Sequence, residues 1–264
     1  METNQDTKLA LITGASRGIG AGIAKRLAAD GFKVLVNYAR SADKAQAVVD
    51  EIITAGGQAE AIAGDVSSQE SIEAMFQVID EEHGGRLDVL VNNAGVYRGG
   101  SIEGSGGALS GDVAGNEDID DSFEALLNVN VRGVWYVTRA AATRLNDSGR
   151  IITIGSNAGE AALFPGNSAY SMTKFAVRGL SRGWAHDLAP RKITSNIVAP
   201  GPIDTDLNPA DTTQNESADF IKSQTTLKRY GTADEVAAAV SYLASDQASY
   251  VTGAELDING GWGV

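Results

Sequence analysis

The stretch Leu9–Gly20 reads LALITGASRGIG and decides the fold of this 264-residue chain. A short apolar run leads into a glycine-rich turn, and the turn leads into a helical pattern of apolar residues over 23–28. Glycines let the backbone turn tightly and approach a pyrophosphate, while the N-terminus of the helix offers unpaired N–H groups to it. This order is typical of a dinucleotide-binding unit, although many purely structural turns share it.

Apolar runs and amphipathic stretches alternate along the rest of the chain. The runs predict strands over residues 8–13, 33–38, 59–64, 88–92, 150–155, 193–199 and 254–258. The stretches between them predict helices over residues 18–30, 42–55, 69–83, 121–145, 169–188 and 233–244. Near-continuous apolar strands separated by helices indicate a parallel sheet covered on both faces. We therefore predict the α/β class, as a single Rossmann-type, doubly wound parallel sheet of about seven strands.

No linker or internal repeat divides the chain, so we predict a single dinucleotide-binding and catalytic domain over residues 1–264. We expect residues 1–7 to form a flexible N-terminus. Two further segments, 97–120 and 201–230, are irregular, and the first is rich in Gly, Ser and Asp. Long loops in a compact domain are usually functional or disordered. We expect the segment 97–120 to be flexible.

Composition excludes several classes of function. The net charge is −13, which argues against nucleic acid and anionic membranes as partners. No apolar run approaches the roughly 20 residues that span a bilayer, and the polar, acidic start of the chain is not a signal peptide. The absence of cysteine excludes disulfides and thiolate chemistry and fits a cytoplasmic protein. His83 and His186 are not spaced as metal ligands, so we expect no metal.

A tyrosine and a lysine stand four residues apart at Tyr170 and Lys174, within a helical pattern. This spacing places them on one helix face, about 6 Å apart along the axis. A nearby ammonium stabilises a phenolate, so we expect the tyrosine pKa to be lowered from about 10. Ser156 follows the apolar run 151–154 and could hold a substrate oxygen beside the phenol. Alone, the pair could equally be a surface Tyr and Lys.

Two amides and two small residues, Asn92-Asn93-Ala94-Gly95, end the predicted strand 88–92. One interpretation is strand termination, with the Asn side chains satisfying backbone groups of neighbouring strands. The other is a close approach of a cofactor ribose to the small residues. The sequence leaves both open.

Taken together, these motifs resemble the short-chain dehydrogenase/reductase family, over nearly the whole chain from about Lys8. The motifs that carry the resemblance are Gly14-x-x-x-Gly18-x-Gly20, Asn92-Asn93-Ala94-Gly95, Asn130, Ser156, Tyr170-x-x-x-Lys174 and Pro200-Gly201-Pro202-Ile203. The resemblance implies that Tyr170 is the acid/base and that Ser156 orients the substrate oxygen. It also implies that Lys174 holds the nicotinamide ribose and that Asn130 anchors a water in a proton relay.

The same resemblance implies further features. Residues 200–205 would close over the nicotinamide, with Ile203 and Thr205 near its carboxamide, and residues 201–230 would include the substrate lid. The segment 97–120 is longer than this connection usually is in the family. The resemblance also implies a homotetramer packed through helices 121–145 and 169–188 and the C-terminal segment, although the apolar residues on those helices could equally be ordinary core.

The end of the second predicted strand indicates which cofactor is bound. NAD-selective enzymes place a carboxylate there, whereas this chain offers Arg40 and Ser41, with Arg17 in the glycine turn. Guanidinium groups and a hydroxyl suit a 2′-phosphate, so we predict NADP(H). The alternative is that Arg40 caps a strand and faces water. Asp65 and Val66 would meet the adenine ring. The cofactor-binding residues we predict are Gly14, Ser16, Arg17, Gly18, Ile19, Gly20, Tyr38, Arg40, Ser41, Asp65, Val66, Asn92, Ala94, Gly95, Tyr170, Lys174, Pro200, Gly201, Ile203 and Thr205.

The predicted reaction is reversible hydride transfer between NADPH and a carbonyl or secondary alcohol. The subgroup resembles 3-oxoacyl-carrier-protein reductases, which generally place basic residues before the fifth strand to receive the acidic carrier. Here residues 146–149 read NDSG, and only Arg191 remains nearby in that role. We therefore favour a small free ketone or aldehyde, with the carrier-bound substrate as the alternative. A nucleotide-binding regulator on the same fold is the alternative from another class.

Overall fold

The computed structural model describes residues 7–102, 119–160, 165–215 and 217–263. Residues 1–6 of the N-terminus that we expected to be flexible lie outside the described residues. So do residues 103–118, which make up most of the irregular segment 97–120.

Seven parallel strands form one sheet in the order β3-β2-β1-β4-β5-β6-β7, as the alternating pattern predicted. The strands are β1 Leu9–Ile12, β2 Lys33–Tyr38, β3 Gln58–Ala63, β4 Leu87–Asn92, β5 Leu145–Ile154, β6 Thr194–Pro200 and β7 Glu255–Ile258. The chain builds outward from β1 in one direction and then returns to build from β4 in the other. The strand order therefore reverses between β1 and β4, and ligands of such sheets bind at the carboxyl ends beside this point.

Helices cover both faces of the sheet. They are α1 Gly18–Ala29, α2 Ala42–Thr54, α3 Gln69–His83, α4 Ile119–Leu127, α5 Val134–Ala142, α6 Ser168–Asp187, α7 Ala218–Gln224 and α8 Ala233–Ala244. Successive side chains of β1 point to opposite faces, so Ala10 and Ile12 pack against α1, α2 and α8, while Leu9 and Leu11 face the side of α3, α5 and α6. Of the helices described, none is both long and apolar enough to cross a membrane.

The predicted helix 121–145 is in fact two helices joined by a π-helical turn, Asn128–Gly133. The backbone that follows β3 lies close to this turn. A Cβ on Gly133 would be 2.6 Å from the carbonyl oxygen of Val66. Such turns insert an extra residue and are frequent at functional sites. Hydrophobic periodicity does not reveal them, because the apolar face continues on either side.

Two further elements differ from the prediction. Strand β5 begins at Leu145 rather than at residue 150, and its pairing with β4 shifts register between Leu87 and Val89. Its first residues include Asp147 and Ser148, which are polar and carry no strand signal. Helix α7 lies inside the segment 201–230, where we expected irregular structure. It has only seven residues, too few for a periodic pattern to stand out.

A capping box starts helix α8 directly after the segment 201–230. The Thr232 hydroxyl accepts the Glu235 N–H at 3.3 Å, and the Glu235 carboxylate accepts the Thr232 N–H at 2.9 Å. Arg229 donates to both oxygens of that carboxylate, at 2.9 and 2.6 Å. These hydrogen bonds hold the pKa of Glu235 at about 2, with the Arg229 contribution largest. The capping box thus fixes the point at which the segment 201–230 leads into helix α8.

Replacing Thr232 with alanine leaves the first-turn N–H groups of α8 without this acceptor. We expect Thr232→Ala to lower the free energy of unfolding by about 1 kcal/mol. Thr232→Ser keeps the hydroxyl and is the matched control. Urea denaturation followed by circular dichroism measures both. Equal midpoints for the alanine and serine variants would show that the cap contributes nothing.

Candidate active site

A cleft of about 800 Å³ opens at the carboxyl ends of the strands, beside the point where the strand order reverses. It brings together most of the residues that the sequence predicted for a cofactor and a reacting substrate. Those that line it are Gly14, Ser16, Arg17, Gly18, Ile19, Gly20, Tyr38, Arg40, Ser41, Asp65, Val66, Ala94, Gly95, Ser156, Tyr170, Lys174, Pro200, Gly201, Ile203 and Thr205. Asn92 and Asn130 do not line it.

The glycine turn packs directly on the end of β4. Gly14 has a φ of +63°, and a Cβ there would lie 2.9 Å from the Cα of Ala94. A Cβ on Gly20 would lie 2.5 Å from Nδ2 of Asn93. Only glycine therefore permits this contact, which leaves the backbone N–H groups at the start of α1 facing the cleft.

The two amides that end β4 have structural roles. Asn93 Nδ2 donates to the carbonyl oxygens of Thr13 and Gly14, at 2.8 and 3.0 Å. Asn92 is buried, and its Nδ2 donates to Thr138 at 2.8 Å and to Thr153 at 3.4 Å. The side chain of Asn92 therefore joins β4 to α5 and β5, and a contact of this residue with a cofactor stays a prediction.

Asn37, which our sequence analysis did not single out, completes the support of the glycine turn. Its Oδ1 accepts the Gly14 N–H at 3.1 Å, and its Nδ2 donates to the Gly64 carbonyl at 3.0 Å. The residue is almost fully buried at the end of β2. The signal that could have found it is a lone amide after the apolar run 34–36. Buried amides need partners, and here the partners are the loops that line the cleft.

The cleft fits a phosphorylated dinucleotide on its own chemistry. Helix α1 has no acidic residue in its first turn and no side chain capping its N-terminus, so its N–H groups remain available to an anion. Arg17 and Arg40 are exposed at the cleft, and neither forms an ion pair within the described ranges. Ser41 stands beside them at the start of α2. These donors suit a pyrophosphate and a second, dianionic phosphate.

Helix α6 places Tyr170 and Lys174 on its cleft face, one turn apart. Lys174 Nζ donates to the Ile154 carbonyl at 3.0 Å and lies 5.7 Å from the centre of the Tyr170 ring. Ser156 follows β5 and lines the same cleft, where its hydroxyl donates to Asn157 Oδ1 at 3.2 Å and accepts the Ala158 N–H at 3.1 Å. On the other side, the Tyr97 ring packs edge-on against Tyr170 at 5.0 Å between centroids. Sequence analysis missed Tyr97, which carried no motif.

Burial dominates the electrostatics of this pair. It raises the pKa of Tyr170 to about 12, with Tyr97 adding to the rise and Ser156 opposing it. Burial also lowers the pKa of Lys174 to about 8. We expected Lys174 to lower the phenol pKa, but among the protein groups alone desolvation outweighs that effect. At neutral pH the phenol is therefore protonated and able to donate.

Asn130 lies in the π-helical turn and connects two walls of the site. Its Oδ1 accepts the Val96 N–H and its Nδ2 donates to the Val96 carbonyl, both at 2.9 Å. The same Nδ2 donates to Thr173 Oγ1 at 3.2 Å, and Thr173 donates to the Tyr170 carbonyl at 2.7 Å. The side chain thus positions the chain before Tyr97 relative to helix α6. A water-anchoring role for Asn130 stays a prediction.

Outside the cleft, His83 lies beside Glu60 and Glu82, with their ligand-type atoms within 4.8 Å of one another. Lys33 already pairs with Glu60 at 2.6 Å, and His83 Nε2 is 3.3 Å from the same carboxylate. Burial, with a smaller contribution from Lys33, lowers the pKa of His83. Since Glu60 is already paired with Lys33, we assign no metal to the cluster.

Comparisons with known proteins agree with this geometry. A family model described as "Enoyl-(Acyl carrier protein) reductase" matches residues 14–263. A short-chain dehydrogenase from Burkholderia cenocepacia, solved in complex with NADP, is 43% identical with a TM-score of 0.86, over 96% of this chain and 97% of its own.

Two curated relatives are each 38% identical to this chain. One is a 3-oxoacyl-[acyl-carrier-protein] reductase of Staphylococcus aureus, aligned over 97% of this chain and 98% of its own. The other is a cyclic-di-GMP-binding biofilm dispersal mediator protein of Escherichia coli, aligned over 97% of each chain. Matches over nearly the whole length, on a seven-stranded parallel sheet with this cleft, leave one conclusion. The chain belongs to the short-chain dehydrogenase/reductase family.

Proposed function

We propose that this protein is an NADPH-dependent oxidoreductase that reduces a carbonyl group to an alcohol and runs in both directions. The observation that carries the proposal is the meeting of Ser156 and a protonated Tyr170 in the cleft that also holds the glycine turn. A bound nicotinamide would supply or accept the hydride. The protein supplies orientation and a proton.

Each catalytic side chain has a distinct role in this proposal. Tyr170 donates its phenolic proton to the carbonyl oxygen as the carbon is reduced. Ser156 holds that oxygen through its hydroxyl. Lys174 would hold the ribose of the nicotinamide, and its ammonium stabilises the phenolate that forms when Tyr170 has given up its proton. Asn130, through its hydrogen bonds to Val96 and Thr173, holds the chain before Tyr97 in place against helix α6.

NADP(H) selectivity rests on the exposed guanidinium groups of Arg17 and Arg40 beside Ser41. No carboxylate follows β2 until Asp43, in the first turn of α2. The relative from Burkholderia cenocepacia was solved with NADP, which supports the same choice of cofactor.

For the substrate we propose a small free ketone or aldehyde. Arg191, the one arginine we considered as a contact for an acidic carrier, donates to Asp147 at 3.0 Å and to the Ala142 carbonyl at 2.6 Å. Its charge is therefore committed within the protein, and the net charge of −13 repels an acidic carrier. A carrier-bound 3-oxoacyl substrate is the alternative, which the Staphylococcus aureus relative supports.

A nucleotide-binding regulator is the second candidate function, and the name of the Escherichia coli relative supports it. The two functions separate in one assay, the loss of NADPH absorbance with a chemically diverse panel of ketones. Turnover favours the enzyme. Tight nucleotide binding without turnover on any ketone favours the regulator.

We also propose a single catalytic domain over residues 1–264, with 201–230 as its substrate lid, and a cytoplasmic homotetramer. Exposed aromatic side chains on α4, α5 and α6 support the assembly, namely Phe123, Trp135 and Phe175. Large exposed apolar residues on neighbouring helices are typical of protein interfaces. Light scattering of the purified protein tests the oligomeric state.

Tyr170→Phe removes only the hydroxyl that donates the proton. We expect the variant to keep its affinity for NADPH and to lose most of its turnover, by at least about 100-fold for a general acid. Steady-state kinetics and fluorescence titration with NADPH measure the two properties. Turnover within a few-fold of the parent would refute the assignment of the acid.

Protonated Lys174 is expected to support cofactor binding only below its pKa. Because burial lowers that pKa to about 8, we expect the affinity for NADPH to fall as the pH rises through about 8. Lys174→Arg keeps its charge at all these pH values, so its affinity for NADPH should not fall near pH 8. Lys25→Arg, on an exposed lysine of α1, is the control and should show the same fall in affinity as the parent. An identical pH profile for parent and Lys174→Arg would remove Lys174 from cofactor binding.

Arg40→Asp places an anion where we propose the 2′-phosphate binds. Loss of a charge-assisted hydrogen bond and the new repulsion together should weaken NADPH by more than about tenfold. NADH should be little affected or improved, because aspartate can accept from its ribose hydroxyl. Arg17 remains and can preserve part of the NADPH binding. The measurement is kcat/KM with both cofactors, and a parent that prefers NADH would contradict the interpretation.

A further inference from the structure

One residue of the proposed lid, Asn208, lines the cleft together with Tyr170 and Ser156. It ends a tight turn in which its N–H donates to the Thr205 carbonyl at 3.0 Å. Its side chain is held by a network of hydrogen bonds from Asn215 and Tyr230, neither of which lines the cleft. The direction of each hydrogen bond in that network fixes which end of the Asn208 amide remains for a ligand.

The centre of the network is Asn215, which is only 2% exposed. Its Nδ2 lies 3.0 Å from the Pro209 carbonyl oxygen, 3.2 Å from Asn208 Oδ1 and 3.3 Å from the Tyr230 hydroxyl. The Tyr230 hydroxyl in turn lies 3.3 Å from Asn208 Oδ1. Two buried side chains, Asn215 and Tyr230, thus converge on one atom of Asn208.

The orientation of Asn215 follows from partners that have a single role. The backbone N–H of Ser217 can only donate, and it points to one end of the Asn215 amide at 3.1 Å. That end must be the oxygen. The other end is therefore the NH₂ group, which agrees with its contact to the Pro209 carbonyl, an atom that can only accept.

The same logic fixes Asn208. The NH₂ group of Asn215 needs an acceptor, and the Tyr230 hydroxyl, protonated because burial raises its pKa to about 12, has a proton to donate. Asn208 must present its oxygen to both. A flipped Asn208 would set two NH₂ groups against each other. Its own NH₂ group is then left over, and it has no hydrogen-bond partner among the described residues.

We propose that Asn208 determines substrate specificity by donating a hydrogen bond from Nδ2 to a second, uncharged carbonyl oxygen on the substrate. This inference rests on the proposed function, and it narrows the substrate to ketones that carry a neighbouring ester, amide or ketone group. The donor is neutral and pre-oriented, so little side-chain entropy is lost when it binds.

Charge on the lid favours an uncharged acceptor over a carboxylate. Asp206 lines the cleft next to Asn208, and the charge of Asp204 contributes to the raised pKa of Tyr230. A substrate carboxylate would be repelled by both. Lys44 is 3.8 Å from Asp206 and offsets that charge only in part, because both groups are exposed to solvent.

The test measures binding without turnover. In the Tyr170→Phe background with NADPH bound, ethyl acetoacetate and methyl pentyl ketone are titrated as ligands of equal chain length with and without a second carbonyl group. We expect the keto ester to bind about threefold to tenfold more tightly, the range for one neutral hydrogen bond. Equal affinities would overturn the proposal.

Asn208→Asp is the decisive variant, because one carboxylate oxygen still accepts from Tyr230 and Asn215 while the other replaces the donor with an acceptor. We expect it to weaken the keto ester by about tenfold or more and to leave the simple ketone within about twofold. A parallel loss for both ligands, or no loss for either, would overturn the proposal. So would weaker NADPH binding with the keto ester preference retained, since the donor would then serve the cofactor.

Tyr230→Phe provides a second variant in case Asn208→Asp does not fold, which circular dichroism checks. It removes one of the two donors to Asn208 Oδ1 and leaves only Asn215 to orient the amide, so the preference for the keto ester should shrink while the simple ketone binds as before. Equal weakening of both ligands would indicate only a damaged lid and would count against the proposal. Because no readout depends on turnover, failure of the parent to reduce any ketone would count against the proposed function alone.

Discussion

The contact between the glycine turn and the end of β4 is the constraint on which the site depends. Thr13 Oγ1 accepts the N–H groups of both Asn93 and Ala94 at 3.0 Å, while Asn93 returns hydrogen bonds to the turn. Two neighbouring strands are thereby joined where the strand order reverses. Gly14 and Gly20 allow an approach that any side chain would block. The cleft is the space left between these joined ends and the loops that follow the other strands.

Desolvation raises the pKa of Tyr170 and lowers the pKa of Lys174, because it favours the neutral form of each group. The phenol therefore keeps its proton, while the ammonium group loses its proton more readily. A reduction needs a proton donor, and a neutral buried phenol is one. The reverse reaction needs the phenolate, which must be stabilised by charge arriving with the ligand or by a protonated Lys174. In the free protein the phenol is therefore held in the form that donates a proton, as the proposed reduction requires.

Much of the fold followed from the sequence because parallel strands and amphipathic helices are periodic. The strand and helix positions around residues 9–92 agree with the structure to within a residue or two, since no polar interruption disturbs them there. The π-helical turn at 128–133 and the short helix α7 did not follow, because one inserted residue and seven residues leave no periodic trace.

The site could be predicted where backbone shape demands a residue type, as at Gly14 and Gly20, or where a motif names a side chain, as at Tyr170 and Lys174. Asn37, Tyr97 and Asn208 could not be found this way. Their positions depend on contacts between segments distant in the sequence. Asn92 does not line the cleft for a related reason, since consecutive residues at a strand end point in opposite directions. The phenol pKa was misjudged because spacing reveals proximity but not burial.

The reciprocal hydrogen bonds of Asn130 with Val96 have a consequence for how this chain tolerates change. Val96 precedes the stretch 103–118, and helix α4, which follows that stretch, leads directly into Asn130. One amide therefore ties both flanks of the connection together and, through Thr173, to the helix of the acid. The flank after Val96 also carries Tyr97, whose ring contacts the Tyr170 ring. The Asn130 amide therefore fixes the distance between the chain that leads to Tyr97 and the helix that carries Tyr170, and a change at Asn130 would be felt at the phenol although Asn130 itself does not line the cleft.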